Sequence, residues 1–106
     1  MEISFNNQLL IDLYEGNKIT DKEFRSNPTL IKQYIKTVQK LKSVDKVEQL
    51  YQFTSLNYEK LKGKLKIYSS VRINLQYRLL FEEVANSSEP FQIVLFKLEE
   101  ISKHYE

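Results

Sequence analysis

The chain has 106 residues, of which 42% are hydrophobic and 28% charged, and it contains no cysteine. This composition predicts one globular domain spanning residues 1–106, and it excludes disulfides, cysteine-ligated metals and thiol catalysis. With a single histidine and scattered carboxylates, we expect no metal site and no cofactor. No apolar run approaches the roughly 18–20 residues that span a bilayer, and the first residues lack an export signal. We therefore expect a cytoplasmic protein with no membrane partner.

The net charge of +2 is unevenly distributed along the chain. Residues 32–78 hold eleven basic and three acidic side chains, whereas residues 1–31 and 79–106 are both net acidic. Such a basic segment is typical of a surface that binds nucleic acid phosphates or an acidic protein. A solvated, lysine-rich helix face explains the same pattern, and charge alone does not decide between the two interpretations.

In chain order, the first predicted element is a short edge strand at residues 2–5. Asn6 or Asn7 then caps a short helix whose leucines lie on one side, and Gly16 suits the C-terminal end of that helix. Ser26-Asn27-Pro28 marks the start of a longer helix, because a capping residue precedes proline at the first helical position. The apolar residues of this helix recur at helical spacing and are predicted to be core: Leu30, Ile31, Tyr34, Ile35, Val38 and Leu41.

A second helix is predicted from Val44 to Phe53, with Ser43 or Asp45 as its cap. The short link makes the two helices an antiparallel hairpin. Three strands follow at residues 67–73, 76–84 and 91–101, where β-branched and aromatic residues dominate. The prediction is an α+β fold, in which an antiparallel β-meander carries an N-terminal helical hairpin packed on one face.

The most specific motif begins with Leu61-Lys62-Gly63-Lys64 and continues as Tyr68-Ser69-Ser70-Val71-Arg72-Ile73-Asn74-Leu75-Gln76-Tyr77-Arg78. It closely resembles the HigB branch of the RelE/ParE toxin superfamily. In that branch a Leu-Lys-Gly turn precedes Ser-x-Arg-Ile-Asn, and a tight turn leads into Gln-(Trp/Tyr)-Arg-(Leu/Ile). Leu13-Tyr14-Glu15-Gly16-Asn17 and Glu100-Ile101-Ser102-Lys103-His104-Tyr105 also match it, so the resemblance spans nearly the whole chain.

The resemblance implies a RelE-like fold and the toxin half of a bacterial type II toxin–antitoxin system. Such toxins commonly cut mRNA on the translating ribosome, and a cognate antitoxin, often of helix-turn-helix type, inhibits them. The implied partners are mRNA, the ribosome and an antitoxin that complements the basic surface. Two alternatives stay open, because one fold supports several activities: a non-enzymatic ParE-like inhibitor of DNA gyrase, and an inactive member that only binds its antitoxin.

Cleavage by attack of the RNA 2′-OH requires stabilisation of charge on the phosphorane, a task that suits arginine because its planar fork binds two phosphate oxygens. Alignment with the family favours Arg78 for this role. A cross-strand partnership of Arg78 with Glu82 or Glu83 is the alternative.

The turn between the first two predicted strands sets the direction of the arginines. If Asn74-Leu75 is a two-residue turn, Arg72 lies opposite Tyr77 and Val71 opposite Arg78, and the two guanidinium groups point to opposite faces. One arginine would then flank the ligand face, and the other would neutralise a carboxylate or bind the antitoxin.

The family resemblance implies acid–base groups in the closing segment. Histidine is suited to proton transfer because its ordinary pKa is about 6.5. Here Lys103-His104-Tyr105 stands where the family has Asp-Tyr-His, so the aromatic ring and the imidazole are exchanged. Because successive strand residues point to opposite faces, the sequence leaves open whether His104 or Tyr105 faces the site.

Further RNA contacts are predicted around the motif, with Arg72 among them. Four alternating lysines lie in one row if their segment is extended: Lys60, Lys62, Lys64 and Lys66. Such a row either contacts an RNA backbone or keeps an exposed strand edge soluble. Tyr68 and Asn74 are predicted to contact a base through a ring face and an amide edge. Asn74 suits a plain turn equally well, and Tyr68 suits a half-buried core position.

Overall fold

The computed structural model describes residues 1–103. Within this range the strands are β1 (Glu2–Phe5), β2 (Glu59–Lys60), β3 (Tyr68–Arg72), β4 (Tyr77–Ala85) and β5 (Ile93–Lys103). The α-helices are α1 (Gln8–Glu15), α2 (Lys22–Arg25) and α3 (Pro28–Ser43), and short 3₁₀ helices span Val47–Gln52, Thr54–Leu56 and Gly63–Leu65. In the described part of the chain, no helix is both long and apolar enough to cross a membrane.

The strands form one five-stranded sheet in the order β1-β5-β4-β3-β2. The predicted antiparallel meander is confirmed for β3, β4 and β5, with strand bounds one or two residues away from those expected. The predicted edge strand is confirmed as β1, which pairs with β5 in parallel. The sheet is therefore mixed, and the α+β fold class is confirmed.

The helix ends follow the capping signals in the sequence. Asn7 caps α1, because its side chain accepts a hydrogen bond from the backbone N–H of Leu10 at 3.1 Å. Gly16 ends that helix with φ at 75°, a left-handed conformation that glycine adopts without steric cost. Asn27 caps α3 in the same way as Asn7 caps α1, with Pro28 at the first helical position.

The predicted hairpin of two α-helices is not confirmed. After α3 the backbone becomes extended at Val44, and the side chain of Gln49 accepts hydrogen bonds from the backbone N–H groups of Asp45 and Lys46. These bonds start a short 3₁₀ helix in place of an α-helix. The two successive 3₁₀ helices bury Leu50 and Leu56, while Tyr51 of the predicted helix is 64% exposed.

The core lies between the helices and one face of the sheet. Buried side chains of α3 and the sheet form one cluster, in which the main contributors are Tyr34, Val38, Leu41, Val71, Leu79, Phe81, Phe96 and Leu98. Of the core residues predicted on α3, Ile31 and Ile35 are only partly buried. Because strand side chains alternate, the neighbours of Val71 and Leu79 point to the opposite face of the sheet.

Candidate phosphate-binding cleft

The register of β3 against β4 directs two arginines to the same face. Arg72 pairs with Arg78, and Val71 pairs with Leu79. The expectation that Arg72 lies opposite Tyr77 and Val71 opposite Arg78 is therefore wrong, as is the expectation that the arginines point to opposite faces. Directly opposed residues share a sheet face, so both guanidinium groups lie on the face that the core does not occupy.

The register differs from the expected one because five residues, 73–77, separate Arg72 from its partner Arg78, an odd number that a two-residue turn cannot give. Asn74 organises this loop: its side-chain oxygen accepts hydrogen bonds from the backbone N–H groups of Gln76 at 2.8 Å and Tyr77 at 2.9 Å. Its side-chain nitrogen donates to Gln33 of α3 at 2.8 Å. Asn74 thus acts as a turn residue, and its contact with an RNA base stays a prediction.

The two arginines line a narrow cleft together with Asn57, Glu59, Ser70 and Tyr77. Glu59 reaches the cleft because β2 pairs with β3, with Glu59 opposite Ser70. The enclosed volume is about 10 Å³, room for about one water molecule, so a larger anion would lie across the mouth of the cleft. Sequence reasoning missed Asn57, Glu59 and Ser70; Glu59 lies on a two-residue strand, which carries no detectable pattern.

The guanidinium groups are left available for a ligand. The Nε of Arg78 is buried and has no hydrogen-bond partner among residues 1–103. The ion pairs that the structure shows within those residues join Lys60 to Glu83 and Lys103 to Glu23, and involve neither arginine. A buried donor without a partner is unfavourable, and a bound anion would supply the acceptor.

Neither glutamate proposed as a partner of Arg78 pairs with it in the described chain. Glu83 points to the core face, where its carboxylate accepts hydrogen bonds from the hydroxyls of Tyr58 and Ser69. Burial and the hydrogen bond to Glu83 raise the pKa of Tyr58. These hydrogen bonds connect the segment before β2 to β3 and β4. Arg78 takes no part in them.

The extended row of lysines is not formed. Strand β2 ends at Lys60, and Gly63, with φ at 66°, begins a 3₁₀ helix. Lys60 instead pairs with Glu83 at 3.9 Å. The remaining members of the row are exposed, and their contact with RNA stays a prediction: Lys62, Lys64 and Lys66.

Tyr68 lies on the same sheet face as the arginines, since it is four residues before Arg72 on β3. Its side chain is half-buried but does not belong to the core cluster, and its contact with an RNA base stays a prediction. Partial burial and the neighbouring carboxylate of Glu99 raise the pKa of the Tyr68 hydroxyl. The ring therefore stays neutral at physiological pH and presents a hydroxyl rather than a phenolate.

The predicted acid–base residues His104 and Tyr105 lie outside the described residues. The last described strand passes beside the cleft, because Ser102 of β5 pairs with Arg78 of β4. Within the described range, no three His, Cys, Asp or Glu side chains are grouped so as to hold a metal ion.

A sequence model described as the RelE-like toxin of the type II toxin–antitoxin system HigB matches residues 3–90. The chain belongs to the HigB-like toxin family. It is accordingly the toxin of a type II toxin–antitoxin system, and a cognate antitoxin is its implied partner. The resemblance found in the sequence motif is confirmed.

Among solved structures, this HigB-like toxin is similar to a YoeB/ParE toxin from Agrobacterium tumefaciens. The two are 18% identical with a TM-score of 0.52, and the match covers 99% of this chain and 100% of the other. At this identity the likeness concerns the fold, and it confirms the RelE-like architecture. No curated protein matches the chain.

Proposed function

We propose that this HigB-like toxin is a ribosome-dependent endoribonuclease that cuts mRNA in the cytoplasm and is inhibited by its antitoxin. The observation that carries the proposal is the pair of arginines on one sheet face, Arg72 opposite Arg78, with the buried Nε of Arg78 lacking a partner in residues 1–103. Two neighbouring guanidinium groups can bind a phosphodiester, because its oxygens accept bidentate hydrogen bonds.

The proposed reaction is attack of the 2′-oxygen on the adjacent phosphorus, followed by departure of the 5′-oxygen. The products are a 2′,3′-cyclic phosphate and a 5′-hydroxyl. Arg78 and Arg72 bind the phosphate oxygens and stabilise the negative charge of the phosphorane. Glu59, the carboxylate in the cleft, accepts the proton of the 2′-OH, and His104 or Tyr105 gives a proton to the leaving 5′-oxygen.

Other residues position the RNA in this proposal. The neutral ring of Tyr68, on the same face as the arginines, offers a stacking surface for a base. The exposed Lys62, Lys64 and Lys66 contact phosphates. The antitoxin, of helix-turn-helix type in this proposal, covers the basic surface with acidic or apolar residues.

Primer extension on an mRNA translated in vitro tests the proposal. We expect the wild-type protein to cut the message only while it is translated. Arg78→Ala should lower the cleavage rate about 100-fold or more, because a lost charge-stabilising donor typically costs that much. Arg25→Ala, at an exposed position on α2, is the matched control and should cut normally.

Thermal melting of each variant separates loss of chemistry from loss of fold. Undiminished cleavage by a folded double variant, Arg72→Ala with Arg78→Ala, would remove the proposed active site. Inhibition of DNA supercoiling by the pure protein, with no RNA cut, would instead identify a gyrase inhibitor. An absence of toxicity when the protein is produced without its antitoxin would identify an inactive member.

A further inference from the structure

Helix α3 carries an uncompensated positive face. It contains four lysines and no acidic residue. Lys36 and Lys40 are one helical turn apart and therefore project from the same side, where like charges repel. Neither lysine belongs to the ion pairs that the structure shows within residues 1–103. The contact of Lys40 is a hydrogen bond to the hydroxyl of Ser55, at 3.4 Å.

This face borders a groove of about 170 Å³ between α3 and the end of β3. Lys36, Lys40, Ser55 and Arg72 are among the residues that line it. Arg72 also lines the cleft that contains Arg78. The groove and the cleft are thus adjoining, and Arg72 is the residue they share.

We propose that the groove formed by Lys36, Lys40, Ser55 and Arg72 binds a second phosphate of the RNA strand that is cut. The inference rests on the proposed function and adds a path for the strand: it runs from the scissile phosphate at Arg78, past Arg72, onto α3. Lysine contacts to phosphates fix the position of a strand without reading its sequence. In this proposal the lysines of α3 and the two arginines form one continuous cationic track, with Arg72 common to the groove and the cleft.

The test measures binding of a fluorescein-labelled, 2′-O-methylated single-stranded RNA, which cannot be cut, by fluorescence anisotropy over a series of salt concentrations. We expect Lys36→Gln with Lys40→Gln to weaken binding about tenfold at low salt. The slope of log K against log salt should become shallower by about 0.7, because the two lysines together contact one phosphate and each phosphate contact to a single strand contributes about 0.7. Lys36→Arg with Lys40→Arg keeps the charge and should keep the slope.

The matched control is Lys18→Gln with Lys46→Gln, which removes the same charge at exposed positions that line neither the groove nor the cleft. Equal slopes for the test and control pairs would overturn the proposal, as would failure of the wild-type protein to bind the RNA. If the test pair binds RNA normally but no longer co-purifies with the antitoxin, the groove is an antitoxin surface and the proposal is wrong.

The outcomes for the groove and for the nuclease are separable. If the wild type does not cut translated mRNA, but the test pair still binds RNA more weakly than the wild type, the phosphate site in the groove is supported and the proposed nuclease activity is wrong. If the wild type cuts translated mRNA and the test pair binds RNA like the control pair, the proposed phosphate site in the groove is wrong and the proposed nuclease activity is supported.

Discussion

At the scale of single residues, the cleft places side chains where stability alone would not. Like charges directly opposite on neighbouring strands are destabilising, yet Arg72 and Arg78 are paired in this way. An unsatisfied buried donor costs about 1–3 kcal/mol, yet the Nε of Arg78 has no partner in residues 1–103. In the proposed function a bound phosphate would offset both penalties, which would make these unfavourable features preparation for an anion.

Tyr34 offers a test of electrostatics in the core. Its side chain is fully buried, and its hydroxyl donates to the backbone oxygen of Leu10 at 2.8 Å. Burial raises the pKa of Tyr34 above its ordinary value of 10.0. Above about pH 10 the unfolded chain therefore loses a proton that the folded chain retains, and the free energy of unfolding falls as pH rises.

Urea denaturation between pH 8 and pH 11 measures this effect. We expect Tyr34→Phe to flatten the alkaline fall, and to lower the free energy of unfolding at pH 8 by about 1 kcal/mol through the lost hydrogen bond. Tyr51→Phe, at a side chain that is 64% exposed, is the control and should follow the wild-type profile. Identical alkaline profiles for Tyr34→Phe and wild type would contradict the assignment.

At the scale of elements, the β3–β4 hairpin determines the geometry of the cleft. The side-chain oxygen of Asn74 accepts hydrogen bonds from two backbone N–H groups of its loop, and its side-chain nitrogen donates a hydrogen bond to Gln33 on α3. A loop of a different length would change the register, and Arg72 would no longer oppose Arg78. The sheet face that carries the two arginines thus depends on a residue whose contacts in the described structure are structural.

Variants at Asn74 separate its turn role from contact with a base. Asn74→Ala should lower the free energy of unfolding by about 1–2 kcal/mol, because two backbone donors lose their acceptor. Asn74→Asp keeps the acceptor but removes the amide donor, so it should stay folded and cut RNA at close to the wild-type rate if the turn role is the main one. Leu75→Ala, at a side chain 82% exposed in the same loop, is the control.

Urea denaturation and primer extension on translated mRNA are the two measurements for these variants. A stable Asn74→Asp variant that still cuts poorly at raised ionic strength, where repulsion by the added charge is screened, would show that the amide contacts the RNA. A fully stable Asn74→Ala variant would show that the loop does not need its side chain.

At the scale of the whole molecule, the two faces of the sheet differ in what they carry. One face packs on the helices around residues such as Phe81, Phe96 and Leu98, while the other presents the arginines. Stability and chemistry should therefore respond to different substitutions. The antitoxin and the RNA would meet the chain mainly through its charged surfaces, whose association rates fall with ionic strength.

Leu98→Ala tests this separation. Leu98 is fully buried on β5, and truncation of a buried leucine typically costs about 2–5 kcal/mol, a large share of the stability of a small protein. We expect a marked shift of the urea midpoint but near-normal RNA cleavage per folded molecule at low temperature. Val94→Ala, at a 44% exposed position on the same strand, is the control and should shift the midpoint little. A loss of cleavage by folded Leu98→Ala would indicate that the two faces are coupled.

The sequence by itself determined the features that depend on neighbouring residues. Asn27 with Pro28, and Gly16, mark helix ends because caps act within one turn, and the apolar period of α3 identifies its buried side. The family motif around Arg78 identified the toxin family.

Only the tertiary structure decided the pairing of Arg72 with Arg78, because strand register depends on loop hydrogen bonds that reach as far as Gln33. The cleft lined by Glu59 and the arginines, and the groove lined by Lys36, Lys40 and Arg72, likewise bring together residues that are far apart in the chain. Local patterns cannot specify such contacts, since packing brings these elements together only when the whole chain folds.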